Sequence, residues 1–272
     1  ANTQQTTFSM PASPVTITPV INEKTYTIVF DANAEDAQWI VEPKNVSCTA
    51  EVQLDGSEVY TRNGYLFQNW NTKFDWAWTS YAKDATITTA LTKTWGAIVT
   101  LYAQWNASGY TVTFDANSWV VTETTRNVIY NQPYGELPTP TRTGYQFTWW
   151  YTQPTWWEKV TADTQVTTAN NHTLYAQWKV RNYTVTFDAN SWEVTPLSKE
   201  VTYDGTYGEL PIPTRTGYAF IGWYTAKEWW DPITAFTKVT TASNHILFAH
   251  WEENHYTIAF NENGWEWTMA SI

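Results

Sequence analysis

The chain has 272 residues and a formal net charge of -11, with 15 Lys and Arg against 26 Asp and Glu. This acidic balance argues against a nucleic-acid binder, which needs a basic surface, and it offers no basic patch to anionic lipid. The single cysteine, Cys48, excludes an intrachain disulfide. Because no apolar run reaches the roughly 20 residues of a membrane helix, we expect no membrane insertion.

The first 24 residues are rich in Thr, Ser, Gln and Pro. Pro11, Pro14 and Pro19 disfavour a helix, and the alternating V-T-I-T segment is compatible with one edge strand. We therefore predict an extended arm or linker over residues 1–24. Neither a signal peptide nor an initiator Met is visible, which fits a processed or excerpted polypeptide.

An internal repeat follows. The segments Y-T-V-T-F-D-A-N, Y-G-E-L-P, R-T-G-Y and A-x-W recur in the same order, and matched residues such as Gly144 and Gly217 lie 73 positions apart. A period of this size indicates an array of small modules. The predicted boundaries are repeat 1 with two insertions at 25–106, repeat 2 at 107–179, repeat 3 at 180–252, and a partial repeat 4 at 253–272.

Each repeat is predicted to consist mainly of strands. Tyr110, Val112 and Phe114 alternate with threonines, which is the period of a half-buried strand, and D-A-N then favours a turn. Proline keeps P-T-P-T-R-T-G-Y extended, while Y-Q-F-T-W-W-Y and H-T-L-Y-A-Q-W predict the third and last strands. The only helix candidates are short, Thr-rich segments such as D-T-Q-V-T-T-A-N.

The joints between repeats have a constant length. Four residues separate the last Trp of one repeat from the first Tyr of the next, as N-A-S-G, K-V-R-N and E-E-N-H. Such short joints limit swivelling, so the sequence predicts a semi-rigid rod.

The set Y-T-V-T-F-D-A-N, T-Y-G-E-L-P-x-P-T-R-T-G-Y-x-F-x-G-W-Y-T and N-H-x-L-x-A-x-W resembles the Listeria–Bacteroides repeat family, the B-repeats of internalin-type and other bacterial surface proteins. The resemblance covers residues 25–272. It implies a mainly β fold of tandem small β-grasp (ubiquitin-like) modules. It also implies an extracellular location, on the cell surface or secreted, and a stalk, adhesion or partner-binding role without enzymatic activity or cofactor.

The tryptophans fall into two classes. Of the 19, six belong to the framework of the repeats and 13 fall in or near turns where the family pattern has glycine. The repeats themselves disagree at one such position, where Trp149 matches Gly222. Three interpretations are open: the residues form exposed aromatic tips, the codon UGA specifies glycine but has been translated as tryptophan, or the residues have been misassigned.

If the turn tryptophans are present, they are candidates for stacking on a sugar. These candidates are Trp119, Trp156, Trp157, Trp192, Trp229 and Trp230. A second hypothesis concerns the partial fourth repeat, whose first strand could add to the sheet of a neighbouring chain. The residues that would donate this strand are Tyr256, Ile258 and Phe260.

Other chemistry is weakly indicated. His172 and His245 occupy matched positions and each stands alone in its repeat, which favours a turn residue over a metal ligand. No phosphate-binding loop, G-x-S-x-G or H-E-x-x-H motif occurs, so we expect no catalytic residues, no metal site and no cofactor. The expected partners are a protein or glycan at a cell surface, or neighbouring copies of the chain.

The identity of the turn tryptophans is open to direct measurement. We expect the intact mass of the purified protein to show whether the turn tryptophans exist. A mass that matches 19 tryptophans would exclude recoding.

Overall fold

The computed structural model describes residues 9, 12–16, 18, 22–39, 41–54, 60–155, 157–228 and 231–259. Over these ranges the protein is all-β, with 19 strands and no helix. The mainly β prediction is therefore confirmed. No helix that could span a membrane occurs in the part of the chain that the structure describes.

Three five-stranded sheets follow one another along the chain, one in each repeat. The first contains β1 (Thr25–Asp31), β3 (Lys44–Ser47), β6 (Tyr65–Asn71), β7 (Ser80–Tyr81) and β9 (Ile98–Ala107). The second contains β10 (Gly109–Asp115), β11 (Thr125–Ile129), β12 (Tyr145–Tyr151), β13 (Lys159–Val160) and β14 (His172–Val180). The third contains β15 (Asn182–Asp188), β16 (Ser198–Thr202), β17 (Tyr218–Tyr224), β18 (Pro232–Ile233) and β19 (His245–Glu253).

The strand order is the same in all three sheets. The second strand lies at one edge, followed by the first, the last, the third and a short strand. The first and last strands pair in parallel, with Phe114 opposite Leu174 and Phe187 opposite Leu247. A bulge interrupts the third strand of each sheet before its framework tryptophan. This agreement in register shows one structural unit used three times.

The two insertions of repeat 1 form additional small sheets. β2 (Gln38–Trp39) pairs with β5 (Tyr60–Thr61), and β4 (Val52–Gln53) pairs with β8 (Thr86–Ile87). Leu54 is buried in the core of this repeat. The longer loops of repeat 1 thus fold against its own sheet.

Each core is built around a framework tryptophan on the third strand. Trp150 is 1% exposed and its ring centroid lies 5.2 Å from that of Phe114, on the first strand. A buried indole N–H needs an acceptor, and the Nε1 of Trp150 donates to the carbonyl oxygen of Pro138 at 2.8 Å. Trp223 donates to Pro211 in the same way, at 2.7 Å. The proline-rich segment therefore closes over the core.

The D-A-N segment forms the predicted turn. The backbone N–H of Asn117 donates to Oδ1 of Asp115 at 2.7 Å, and its side-chain Nδ2 donates to the carbonyl oxygen of Ala176. Asn117 has a φ of 56° and Ser118 has a φ of 69°. The left-handed residues therefore come just before Trp119 and do not include it. Trp76, with a φ of 65°, is in contrast a tryptophan in a conformation that favours glycine.

The prediction of short helix candidates is wrong. The Thr-rich segments form turns and isolated bridges, at Gln165 and Lys238, where short helices were expected. Repeated Thr side chains bond locally there, as Thr161 and Thr164 do, and so compete with a helix. The described residues of V-T-I-T and residues 254–259 contain no strand.

The chain divides into two compact units. The first comprises residues 1–109, 129–131 and 167–169, and the second comprises 110–128, 132–166 and 170–272. The first sheet lies in the first unit, and the third sheet and most of the second lie in the second unit. The rod predicted from the joint lengths stays a prediction.

Candidate functional site

In repeats 2 and 3, the arginine of the R-T-G-Y turn is surrounded by aromatic rings. The guanidinium carbon of Arg142 lies 3.4 Å from the ring centroid of Tyr145, 4.9 Å from Trp119 and 6.0 Å from Trp178. Arg215 repeats this arrangement, at 3.3 Å from Tyr218, 5.4 Å from Trp192 and 6.0 Å from Trp251. These are cation–π distances.

Both stacks border open cavities. A cavity of about 590 Å³ is lined by Arg142, Trp178 and threonines of the same turn, and one of about 550 Å³ is lined by Arg215, Trp192 and Thr216. The Nε atoms of Arg142 and Arg215 are buried without a hydrogen-bond partner. Each cavity thus has an aromatic face, hydroxyl groups and a cation, and Glu193 adds a carboxylate to the lining of the second cavity.

The matched arginine of repeat 1 differs in its hydrogen bonding. Arg62 also stacks on the tyrosine of its turn, 3.8 Å from the ring centroid of Tyr65. Its Nε, however, donates to Oδ1 of Asp36 at 2.8 Å. A carboxylate from an insertion therefore binds the guanidinium in repeat 1, whereas a tryptophan ring lies against it in the other two repeats.

The predicted stacking residues are only partly brought into one site. Trp119 and Trp192 are 44% and 43% exposed and lie against the arginines described above. Trp157 is 78% exposed, and no contact joins it to Trp119 in the described part of the chain. Three candidates lie outside the described residues: Trp156, Trp229 and Trp230.

Two strand-donation candidates, Tyr256 and Ile258, show no strand pairing among the residues that the structure describes. Tyr256 and Ile258 are 74% and 57% exposed and lie in a segment without regular structure. Phe260 lies outside the described residues. Donation of this segment to another sheet stays a prediction.

The matched histidines each form hydrogen bonds within their own repeat. His172 Nδ1 donates to the carbonyl oxygen of Asn170 at 2.9 Å, and its Nε2 lies within hydrogen-bond distance of the Tyr134 hydroxyl, at 2.6 Å. Burial raises the pKa of Tyr134. His245 and Tyr207 form the same pair, at 2.7 Å. Among the described residues, no group of three metal-ligating side chains occurs.

The R-T-G-Y turn of repeat 2 also receives a side chain from repeat 3. Gly144 has a φ of 77°, and a Cβ built on it would lie 2.2–2.4 Å from ring atoms of Tyr203. The Tyr203 ring meets that of Tyr145 edge to face, with centroids 6.0 Å apart. Two backbone bonds frame the contact, from Arg181 N to Gly144 O at 2.9 Å and from Tyr203 N to Arg181 O at 3.0 Å. We call this arrangement the tyrosine–glycine joint.

The same joint occurs once more, within the first compact unit. A Cβ on Gly64 would lie 2.4–2.5 Å from the ring of Tyr130, which follows the second strand of repeat 2 as Tyr203 follows that of repeat 3. Ser108 takes the place of Arg181, donating to Gly64 O at 2.9 Å and accepting from Tyr130 N at 2.9 Å.

Charged groups reinforce the joint between repeats 2 and 3. The hydroxyl of Tyr145 donates to Oδ2 of Asp204 at 2.9 Å, and Nζ of Lys238 lies 3.0 Å from Oδ1 of the same carboxylate. Hydrogen bonds from Lys238 and then from Tyr145 lower the pKa of Asp204. Arg181 Nε donates to the carbonyl oxygen of Tyr145 at 3.2 Å.

Sequence reasoning missed Arg142 and Arg215, and it missed the joint. Signals for both are present in the sequence. Trp119 precedes Arg142 by the same number of residues as Trp192 precedes Arg215, and Tyr130 and Tyr203 occupy matched positions. What the sequence does not show is which ring lies on which glycine, because that depends on the path of the chain between modules.

Comparison with known families identifies the module. The model of the Listeria-Bacteroides repeat domain matches residues 26–104, 110–177 and 183–250. Each match covers most of one five-stranded sheet. The predicted resemblance is therefore confirmed.

Individual relatives show the same similarity. The chain is 29% identical over 262 residues, 94% of its own length, to a protein of Evansella cellulosilytica named as a Gly-rich membrane protein. It is 35% identical over 145 residues, 53% of its length, to Internalin H of Listeria monocytogenes. It covers 29% and 25% of the lengths of these two proteins.

We expect Gly144→Ala to destabilise the chain more than Gly217→Ala. Both glycines have a left-handed φ, 77° and 81°, but no described atom lies within 4 Å of a Cβ on Gly217. Backbone strain of about 1 kcal/mol is common to both substitutions. The clash with Tyr203 adds about 1–3 kcal/mol at Gly144 alone. Denaturant unfolding of the full chain measures the difference.

A second substitution tests the cause. Adding Tyr203→Ala to Gly144→Ala removes the clashing ring. The double variant should therefore lose less free energy of unfolding than the sum of the losses in the two single variants. Equal destabilisation by Gly144→Ala and Gly217→Ala would contradict the joint.

The joint between repeats 2 and 3 is expected to weaken in acid. Because the pKa of Asp204 is lowered in the folded chain, its stabilising contribution is present above its unfolded pKa and is lost as pH falls through the folded pKa. Asp204→Asn should therefore unfold at a lower temperature than the unchanged chain at neutral pH, and the two should converge in acid. A constant difference across the pH range would exclude this role.

Proposed function

Because the chain belongs to the Listeria-Bacteroides repeat domain family, we propose that it is a non-enzymatic part of a bacterial cell-surface or secreted protein. In this role it acts as an adhesive stalk or fibre component. The names of two relatives, a membrane protein and an internalin, support a location at the cell surface. Its partner is a protein or glycan at a surface, or a neighbouring copy of the chain.

The observation that carries the stalk proposal is the tyrosine–glycine joint. A stalk transmits position along its length, so its modules need contacts beyond the connecting peptide. Between repeats 2 and 3, the Tyr203 ring, two backbone hydrogen bonds and the Asp204 carboxylate together restrict rotation.

We further propose that each repeat is a β-grasp module without a helix. The mixed sheet, with its first and last strands parallel at the centre, supports this assignment. The proline-rich segment and the framework tryptophan cover the face of the sheet that a helix would otherwise cover.

A stalk depends on the number of its modules more than on their identity, and this allows a direct test. In cells that display the whole protein, deletion of residues 183–255 should reduce adhesion at equal display level. Replacing residues 183–255 with a second copy of residues 110–182 should restore adhesion. If the replacement fails as the deletion does, repeat 3 itself binds the partner and the spacer role is wrong.

An array of carbohydrate-binding sites is the second candidate. The specific observation in its favour is the stack of Trp119 on Arg142, and of Trp192 on Arg215, beside cavities lined by hydroxyl groups. A sugar ring packs on an indole, and a guanidinium binds a carboxylate, so an acidic sugar fits this chemistry.

Glycan binding to the purified full chain tests this candidate. Loss of one stacking face costs about 1 kcal/mol, so Trp119→Ala combined with Trp192→Ala should weaken the affinity of each site about fivefold. Trp95→Ala is the matched control, because Trp95 is 72% exposed and is a member of neither arginine stack. Equal binding by all three proteins, or no binding to acidic or neutral glycans, would exclude the sites.

A further inference from the structure

The R-T-G-Y turn of repeat 3 has the backbone geometry of the tyrosine–glycine joint, but no described side chain covers its glycine. Gly217 has a φ of 81°, close to the 77° of Gly144, yet no described atom lies within 4 Å of a Cβ built on it. At Gly144 that position lies 2.2–2.4 Å from the Tyr203 ring. The third turn therefore keeps a conformation that permits close approach and has no described ring upon it.

The backbone beside this turn is also arranged as in the joint. The N–H of Asn254 donates to Gly217 O at 2.9 Å, as Arg181 N does to Gly144 O at 2.9 Å. In the joint between repeats 2 and 3, the carbonyl of Arg181 then accepts from Tyr203 N. Asn254 thus holds its carbonyl where an incoming backbone N–H would be received.

The side chains around this turn of repeat 3 make contacts that correspond to those in the joint between repeats 2 and 3. The guanidinium of Arg215 stacks on Tyr218 at 3.3 Å, as Arg142 stacks on Tyr145. The hydroxyl of Tyr218 donates to Glu253 at 3.1 Å. In the joint between repeats 2 and 3, the matched hydroxyl of Tyr145 donates to Asp204, which follows the docked tyrosine.

The tyrosines that could fill such a turn are already used within this chain. Tyr130 and Tyr203 each lie on a glycine. In repeat 1 the matched position is Cys48, since Val46 pairs with Tyr26 as Val201 pairs with Tyr183, and Cys48 N donates to Lys24 O at 2.8 Å. A second copy of the chain therefore offers no free tyrosine of this kind.

We propose that the surface formed by Gly217, Tyr218 and Asn254 is a docking site for a further repeat of the same family. The docking group is the tyrosine that follows the second strand of that repeat, and its backbone N–H bonds to Asn254 O. The residues from Tyr256 onward begin such a repeat, which places the occupant next in the chain. The inference rests on the proposed stalk function and specifies the contact that extends the stalk.

An extended chain tests the proposal. Residues 256–272 are replaced by a second copy of residues 183–255, so that a copied Tyr203 follows the new second strand. The matched control carries alanine in place of that copied tyrosine. Hydrogen exchange of residues 214–218 is measured in both, and exchange in the new sheet establishes that the added repeat has folded.

Exchange of residues 214–218 should be about tenfold slower with the copied tyrosine than with alanine. Gly217→Val in the tyrosine-bearing chain should abolish this protection, because a side chain there would clash with the docked ring. Tyr203→Ala in the original chain supplies the reference, since it should accelerate exchange of residues 141–145 by a similar factor. Equal exchange in the tyrosine and alanine extensions would overturn the proposal.

The outcome is independent of the adhesion assay. If docking occurs but adhesion does not depend on repeat number, the stalk function fails and the joint remains. If adhesion depends on repeat number but the tyrosine has no effect on exchange, the stalk function stands and the docking site is wrong.

Discussion

The fold depends on how a small, helix-free sheet buries one large indole. Each repeat has few residues with which to build a core, and Trp70, Trp150 and Trp223 are at most 1% exposed. Burial of an indole stabilises the repeat only if its N–H finds an acceptor. In repeats 2 and 3 the acceptor is a carbonyl of the proline-rich segment. That bond fixes the segment that leads into the R-T-G-Y turn. The turn then carries both the arginine of the aromatic stack and the glycine of the joint.

Much of this fold could be predicted from the sequence because its signals are local. Alternation placed the strands, and D-A-N predicted a turn that is closed by the bond from Asn117 N to Asp115. The Thr-rich helix candidates form no helix, because hydroxyl groups there bond to nearby backbone. The site was less predictable. Stacking was expected of tryptophans as exposed tips, whereas Trp119 and Trp192 lie on arginines whose position depends on the folded turn.

The glycine and tryptophan positions can now be distinguished by their backbone requirements. At Trp119 and Trp192 the left-handed residues are the preceding Asn and Ser, so the indole is accommodated without a positive φ. Trp149 matches Gly222, which has a φ of 158°, but Trp149 itself is not among the described residues with a positive φ. Trp76 alone among these described tryptophans has a left-handed φ. Backbone strain from a left-handed φ is therefore confined to Trp76 among the described turn tryptophans.

Cys48 has a consequence for the array as a whole. The joint is directional, because the R-T-G-Y turn of one repeat receives the tyrosine that follows the second strand of the next repeat. A contact between two unlike surfaces can be repeated without forming a closed ring. In repeat 1 the inserting position carries a thiol in place of a phenol ring. Repeat 1 therefore has no phenol ring to insert into another turn from this position. If each turn receives the next module as proposed, repeats can be gained or lost after repeat 1 as whole 73-residue units.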